Sequence, residues 1–210
     1  MLRSFFGGSE QANGPRGTVT RHSSGWTHVL KHLKAHEGLR VLDIGSTSPG
    51  NINFLTGLGH GVYMADLAED ANRPEWMLPA TENEAERFDV DRFIAEDFNF
   101  GDRTFDIVLL WDVADYLPEA LLKAVIARLH EVMNPGGLVL ALFHTKKEET
   151  DNALHRYHLT ESEMINMQRV SNQKLLQVWT NRQVERMFES FSSYKFFLAK
   201  DNLREVVITR

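Results

Sequence analysis

Residues 41–55 read VLDIGSTSPGNINFL: an apolar run carrying Asp43, a loop bracketed by Gly45 and Gly50, and then a helix with an apolar stripe. A strand, glycine loop and helix in this order offer backbone N–H groups to an anionic ligand. Two phosphate chemistries match it poorly. The outer glycines of G-x-x-x-x-G-K-[ST] are present at 45 and 50, but Asn51 and Ile52 replace the lysine and hydroxyl that hold phosphate and magnesium. G-x-G-x-x-G needs a glycine where Thr47 stands, and Pro49 removes one N–H from the helix start. A dinucleotide, and with it a nicotinamide-dependent oxidoreductase, is therefore the weaker reading.

A phosphate-free nucleoside cofactor asks less of this loop. S-adenosylmethionine carries one carboxylate on its methionyl end, and Ser46, Thr47 and Ser48 offer hydroxyls beside the backbone N–H groups. A carboxylate at the end of the next strand can accept both ribose hydroxyls, and Asp66 stands there; its other reading is a turn cap. Asp97 ends a predicted third strand, where it or Glu96 can take a hydrogen bond from the adenine amino group. Phe98 either lies against the adenine or belongs to the core. Asp43 either touches the ligand or bonds to loop N–H groups.

These residues need strands and helices in alternation, and the chain supplies them. Predicted strands are LRVLDI (39–44), GVYMAD (61–66), RFIAED (92–97), FDIVLLW (105–111) and LVLALF (138–143). Predicted helices are 25–36, 49–58 with Ser48 as cap and Gly59 as stop, 118–133, and 181–191. NPGG (134–137) reads as a turn, residues 67–91 as loop and short helix, and YKFFLAK with REVVITR as a closing hairpin. The alternation predicts an α/β fold, a mostly parallel sheet with helices on both faces and one antiparallel strand. Residues 1–24 are expected to form a flexible N-terminal tail and 25–210 a single domain. Residues 144–180 are too long for a simple connection and read as an insert covering the pocket, partly helical from the capping-box pair Thr160 and Glu163.

Taken together, VLDIGSTSPG, YMAD, AEDF, FDIVLLWDVADYL and NPGGLVLAL resemble, in order and spacing, the class I S-adenosylmethionine-dependent methyltransferases over about residues 39–143. The resemblance implies a Rossmann-like, seven-stranded sheet with its last strand antiparallel. It implies that Gly45 and Gly50 bracket the methionyl end, that Asp66 holds the ribose, and that Asp97 with Phe98 meets the adenine. It also places Asp112 at the fourth strand's mouth, near the methyl group. The chain departs from the family in its loop, where the step from Gly45 to Gly50 is one residue longer than usual and the middle glycine is absent.

His144 follows the fifth strand at the expected pocket mouth, so His144 and Asp112 are the catalytic candidates; imidazole suits a general base near neutral pH. His155, Tyr157 and His158 lie in the insert, where a solvated loop is the plainer reading. His28, His32 and His36 recur every fourth residue, but three on one helix spread about 12 Å along it, too far for one ion. No metal site is expected. KKEET (146–150) reads as a solvated loop.

Composition narrows the partners. The formal net charge is −6, which disfavours a grip on nucleic acid phosphates. DVADYL (112–117) lacks the N-P-P-Y pattern of base amino-group methylation. A small molecule is the expected acceptor, under an apolar lid holding Met164, Met167, Tyr157 and Trp179. There are no cysteines, so disulfides, thiolate metal sites and cysteine nucleophiles are excluded. With no signal-peptide core and no spanning run, a cytoplasmic protein is expected. The alternative from another class is a non-catalytic methyltransferase-like scaffold whose altered loop binds no cofactor.

Overall fold

The computed structural model describes residues 17–82, 85–147, 153–197 and 201–210. The first elements are β1 (Thr18–His22), α1 (Ser24–Ala35), β2 (Arg40–Ile44), α2 (Pro49–Gly57), β3 (Gly61–Ala65), α3 (Leu67–Asp70), β4 (Met77–Leu78), β5 (Arg87–Phe88) and α4 (Val90–Glu96). They are followed by β6 (Phe105–Leu110), α5 (Glu119–Val132), β7 (Met133–His144), β8 (Leu154–His158), β9 (Met164–Ser171), α6 (Asn181–Met187), β10 (Ser193–Phe197) and β11 (Leu203–Thr209). No helix among the described residues is long and apolar enough to cross a membrane.

The main sheet has the order β10-β11-β7-β6-β2-β3. β3, β2, β6 and β7 are mutually parallel, while β11 runs antiparallel to both β7 and β10. Strand alternation divides the core in two. Leu42, Ile44, Val108, Leu110, Val139 and Ala141 face α4, α5 and α6. Val41, Ile107, Leu109, Leu138 and Leu140 face α1 and α2. Chain order reverses between β2 and β6, so their carboxyl ends open the crevice where such sheets bind ligands. Both flanking helices begin as their sequences direct. Ser23 caps α1 by accepting from the Trp26 N–H at 3.0 Å, and Ser48 caps α2 with Pro49 at its first position. Gly59, at φ +86°, turns the chain after α2 in the left-handed region that favours glycine.

Several expectations are corrected. The sheet has six strands rather than seven, because the expected third strand at 92–97 is instead helix α4. Val90, Phe93 and Ile94 fall at helical spacing, Asp89 caps the first turn by accepting from the Arg92 N–H, and Phe93 packs edge-on to Trp76 at 5.2 Å. NPGG is no separate turn: it lies within β7, in a bulge containing Gly136 at φ +79°, tied to β11 by the Gly136 N–H to the Arg210 carbonyl at 2.8 Å. Among its described residues the insert is extended, not helical. β8 and β9 form a hairpin whose turn holds Thr160 and Glu163, because Tyr157, Leu159, Ile165 and Met167, alternating along the chain, pack one face of the pair into the core. The expected tail lies outside the described residues as far as 16, but Thr18–His22 form β1, pairing with β9 from Thr18↔Gln168 to His22↔Met164. KKEET and the distal part of the YKFFLAK strand extend beyond the described residues.

A buried ion pair anchors this second sheet, β1-β9-β8. Arg21 Nη1 donates to Glu205 Oε1 at 2.6 Å, and Glu205 Oε2 accepts from the Gly25 N–H at 2.6 Å. A Cβ on Gly25 would stand 2.5 Å from Leu140 Cδ1 and 3.0 Å from Glu205 Oε2. Leu140 is fully buried and Glu205 is held by the ion pair, so neither yields freely. Gly25→Ala is therefore expected to lower unfolding stability in urea by about 1–3 kcal/mol, the usual range of overpacking costs.

Candidate functional site

The glycine loop is tied into a buried knot. Asp43 Oδ1 accepts from the Trp111 indole N–H at 2.6 Å, and Oδ2 accepts from the Asn51 amide at 2.9 Å. The same amide group donates to the Tyr157 carbonyl at 3.0 Å, and Asn51 Oδ1 accepts from the Leu159 N–H at 2.8 Å. Ser48 Oγ lies 2.9 Å from His158 Nδ1. The Tyr157 ring stacks on Trp111, 4.6 Å between centroids and nearly parallel. β8 is thus fastened across the loop. Gly45 is required here, because a Cβ would meet the Trp111 ring at 3.0 Å. Burial pushes Asp43 up to about 6, against the pull of its two donors. Thr47 and Gly50 are exposed and take no part in the knot.

Beside the knot lies a cavity of about 380 Å3 lined by Ser46, Asp66, Glu69, Leu154, Arg156 and Gln173, among others. Asp66 Oδ1 also caps α3, accepting from the Glu69 N–H at 3.3 Å. Burial raises the Asp66 carboxyl above the ordinary range; the Glu69 N–H, the Ser46 hydroxyl and the charge of Arg156 oppose that rise. Ser46 and Asp66 therefore line one cavity.

A second cavity, about 330 Å3, lies across β8 and is lined by Val19, Arg21, His144, His155, Met167 and Leu203, among others. His144 ends β7, with Nδ1 2.8 Å from Asp115 Oδ2, and the same oxygen accepts from the His144 N–H at 2.6 Å. Burial raises Asp115 to about 6. Asp112 is fully buried, and neither of its oxygens has a hydrogen-bond partner; His155 Nδ1 lies 3.9 Å away. The buried Tyr157 hydroxyl lies against Asp112, and its pKa is driven up by burial and then by the Asp112 charge. Larger grooves of about 400 and 410 Å3 flank α5 on the helix-covered face; Trp179, expected in a lid over the acceptor, lines the second of them instead.

Of the predicted cofactor residues only Ser46 and Asp66 line this cavity, and Asp97 and Phe98 lie away from it. Asp97 caps the C-terminus of α4 and pairs with Arg73 at 3.4 Å rather than lining the cavity. Phe98 is core, edge-on to Phe100 at 4.8 Å. Both follow from the helix at 90–96, which replaces the strand that would have aimed them. Among the described residues, no group of three or more His, Cys, Asp or Glu could hold a metal. Trp111, Asn51, Asp115 and Arg156 are the site residues that sequence reasoning missed. Asp112 and Asp115, three apart just after a buried strand, were a readable signal. Arg156 gave only its alternation with Leu154 on a strand not foreseen.

A family model described as a methyltransferase domain matches residues 20–191. Among solved structures, the chain is similar to the 1,6-didemethyltoxoflavin-N1-methyltransferase of Burkholderia thailandensis, at 16% identity over 89% of this chain and 77% of that one, with a TM-score of 0.49. It is also similar to a TehB-like S-adenosylmethionine-dependent methyltransferase of Corynebacterium glutamicum, at 14% identity over 89% and 87% of the two chains, TM-score 0.49. The magnesium protoporphyrin IX methyltransferase of Synechocystis matches at 14% identity over 88% and 77%, TM-score 0.46. No curated protein matches the chain.

Proposed function

Since the chain belongs to the methyltransferase-domain family, we propose that it is an S-adenosylmethionine-dependent methyltransferase whose acceptor is a small molecule. The observation that carries this reading is the convergence of Ser46 and Asp66 on one cavity beside the β2–β6 crevice. Asp66 accepts the ribose hydroxyls there, with its α3 cap holding the carboxylate in place. When bound, the cofactor supplies a methyl group on a sulfonium, so this chain's residues need only align a nucleophile and exclude water.

β8 divides the cofactor cavity from the second cavity, whose size and mixed lining suit a small acceptor. Asp115 orients the His144 imidazole by its Nδ1, the arrangement that suits it to take a proton from a hydroxyl or amine. The net charge of −6 supports a small molecule over nucleic acid.

One observation favours a second reading, the non-catalytic scaffold: Trp111 and Tyr157 stack over the loop, and Ser48 and Asn51 are already committed to β8. Calorimetry with S-adenosylhomocysteine separates the two. Binding at micromolar concentration supports the enzyme, and no heat even at millimolar ligand supports the scaffold. Ser48→Ala refines the assignment. Because this hydroxyl caps α2 and contacts His158, its loss is expected to cost about 1 kcal/mol of stability and leave cofactor affinity within about twofold. A large loss of affinity without a stability change would return Ser48 to the cofactor.

A further inference from the structure

We infer that Arg156, on the covering strand β8, binds the carboxylate of the cofactor's amino-acid arm. The inference rests on the cofactor reading above and adds a residue from outside the glycine loop. Three of the loop's side chains are committed, and Thr47 is exposed and does not line the cavity. Ser48 caps α2 and meets His158, Ser46 bonds to Asp66, and the Asn51 amide is held by Asp43 and the Tyr157 carbonyl. Asp43 would repel a carboxylate. Arg73, the nearest other guanidinium to Asp66's helix, is paired with Asp70 and Asp97.

Arg156 differs from all of these. It lines the same cavity as Ser46 and Asp66, and its Nε is buried with no hydrogen-bond partner among the described residues. It feels the charge of Asp66 yet forms no ion pair with it. Arg156 is half-buried, and a buried guanidinium N–H left without an acceptor is unfavourable unless a ligand completes it. Its planar fork matches a carboxylate with two parallel hydrogen bonds. The cavity otherwise presents Asp66 and Glu69, so Arg156 is the group in its lining with the charge to receive an anion. Because β8 crosses the loop, the same contact joins the bound cofactor to the strand that covers it.

The test compares two ligands on the full chain by calorimetry: S-adenosylhomocysteine, and 5′-methylthioadenosine, which keeps the adenosyl thioether but lacks the amino-acid arm. Arg156→Ala and Arg156→Gln are expected to weaken S-adenosylhomocysteine about 10-fold or more, the usual weight of a charged hydrogen-bonding pair. Methylthioadenosine affinity should stay within about twofold, and Arg156→Lys should recover part of the loss by keeping charge without the fork. Unfolding midpoints should not fall, since Arg156 makes no hydrogen bond or ion pair among the described residues that these changes break. Unchanged S-adenosylhomocysteine affinity in Arg156→Ala, or an equal loss for both ligands, overturns the role of Arg156 and leaves the cofactor reading standing. Failure of the unaltered chain to bind either ligand overturns both.

Discussion

Asp66→Ala is expected to weaken S-adenosylhomocysteine binding on the order of 100-fold, because two charge-assisted hydrogen bonds to the ribose disappear together. The same carboxylate caps α3, accepting from the Glu69 N–H at 3.3 Å, so alanine also costs about 1 kcal/mol of local stability. The two effects separate with Asp66→Asn and Asp66→Ser. Both side chains can cap the helix, but asparagine keeps one acceptor oxygen without charge, and serine is too short to span a ribose diol. Affinity should fall in the order Asp, Asn, then Ser and Ala, with Asn weakened about 10-fold, while unfolding midpoints of Asn and Ser stay near that of the unaltered chain. If Asp66→Ala bound as well as the unaltered chain, Asp66 would be a helix cap and no more.

The second large effect is in pH. Asp43 titrates at about 6 in the folded protein because burial disfavours its charge. In the unfolded chain an aspartate titrates near about 3.9. Between those values the folded state holds the proton more tightly, so this contribution is fully present below about pH 4 and is lost as the pH rises through about 6. A shift of about two units corresponds to roughly 3 kcal/mol at neutral pH. Asp115, also raised to about 6 by burial, acts in the same direction. Urea unfolding of Asp43→Asn isolates the Asp43 share. Its amide keeps one oxygen for a donor but sets an NH2 against the other, so the variant should be about 1–3 kcal/mol less stable at low pH. The gap should close as the pH rises, because the variant has nothing at this position to ionise. Parallel stability curves for the two proteins between about pH 4 and 7 would remove the titration of Asp43 from the account.

Much of the framework was legible because its signals are local. FDIVLL at Phe105–Leu110 and the stripe of Leu121, Leu122, Val125, Ile126 and Leu129 on α5 declare their periods within a few residues. Ser48 with Pro49 starts α2 where expected, and Asp66 follows β3 directly. The segment at 92–97 was ambiguous by the same rule. RFIAED is short and apolar enough for a strand, and only the pocket that Trp76 and Phe88 make for Phe93 decides for a helix. That choice removed one strand from the sheet and carried Asp97 and Phe98 out of the site.

What the chain's local pattern determined, then, is the parallel α/β framework, the glycine loop at its crevice and the carboxylate at the end of the second parallel strand. What only the tertiary structure decided is how the crevice is roofed. Arg21 must reach Glu205, Asn51 must reach Tyr157 and Leu159, and Ser48 must reach His158, pairs separated by 106 residues or more. Such contacts depend on which surfaces bury one another once the sheet exists. Hydrophobic period and helix capping report only on neighbours along the chain, so β8, Arg156 and the stacked Trp111 and Tyr157 come into view only in three dimensions.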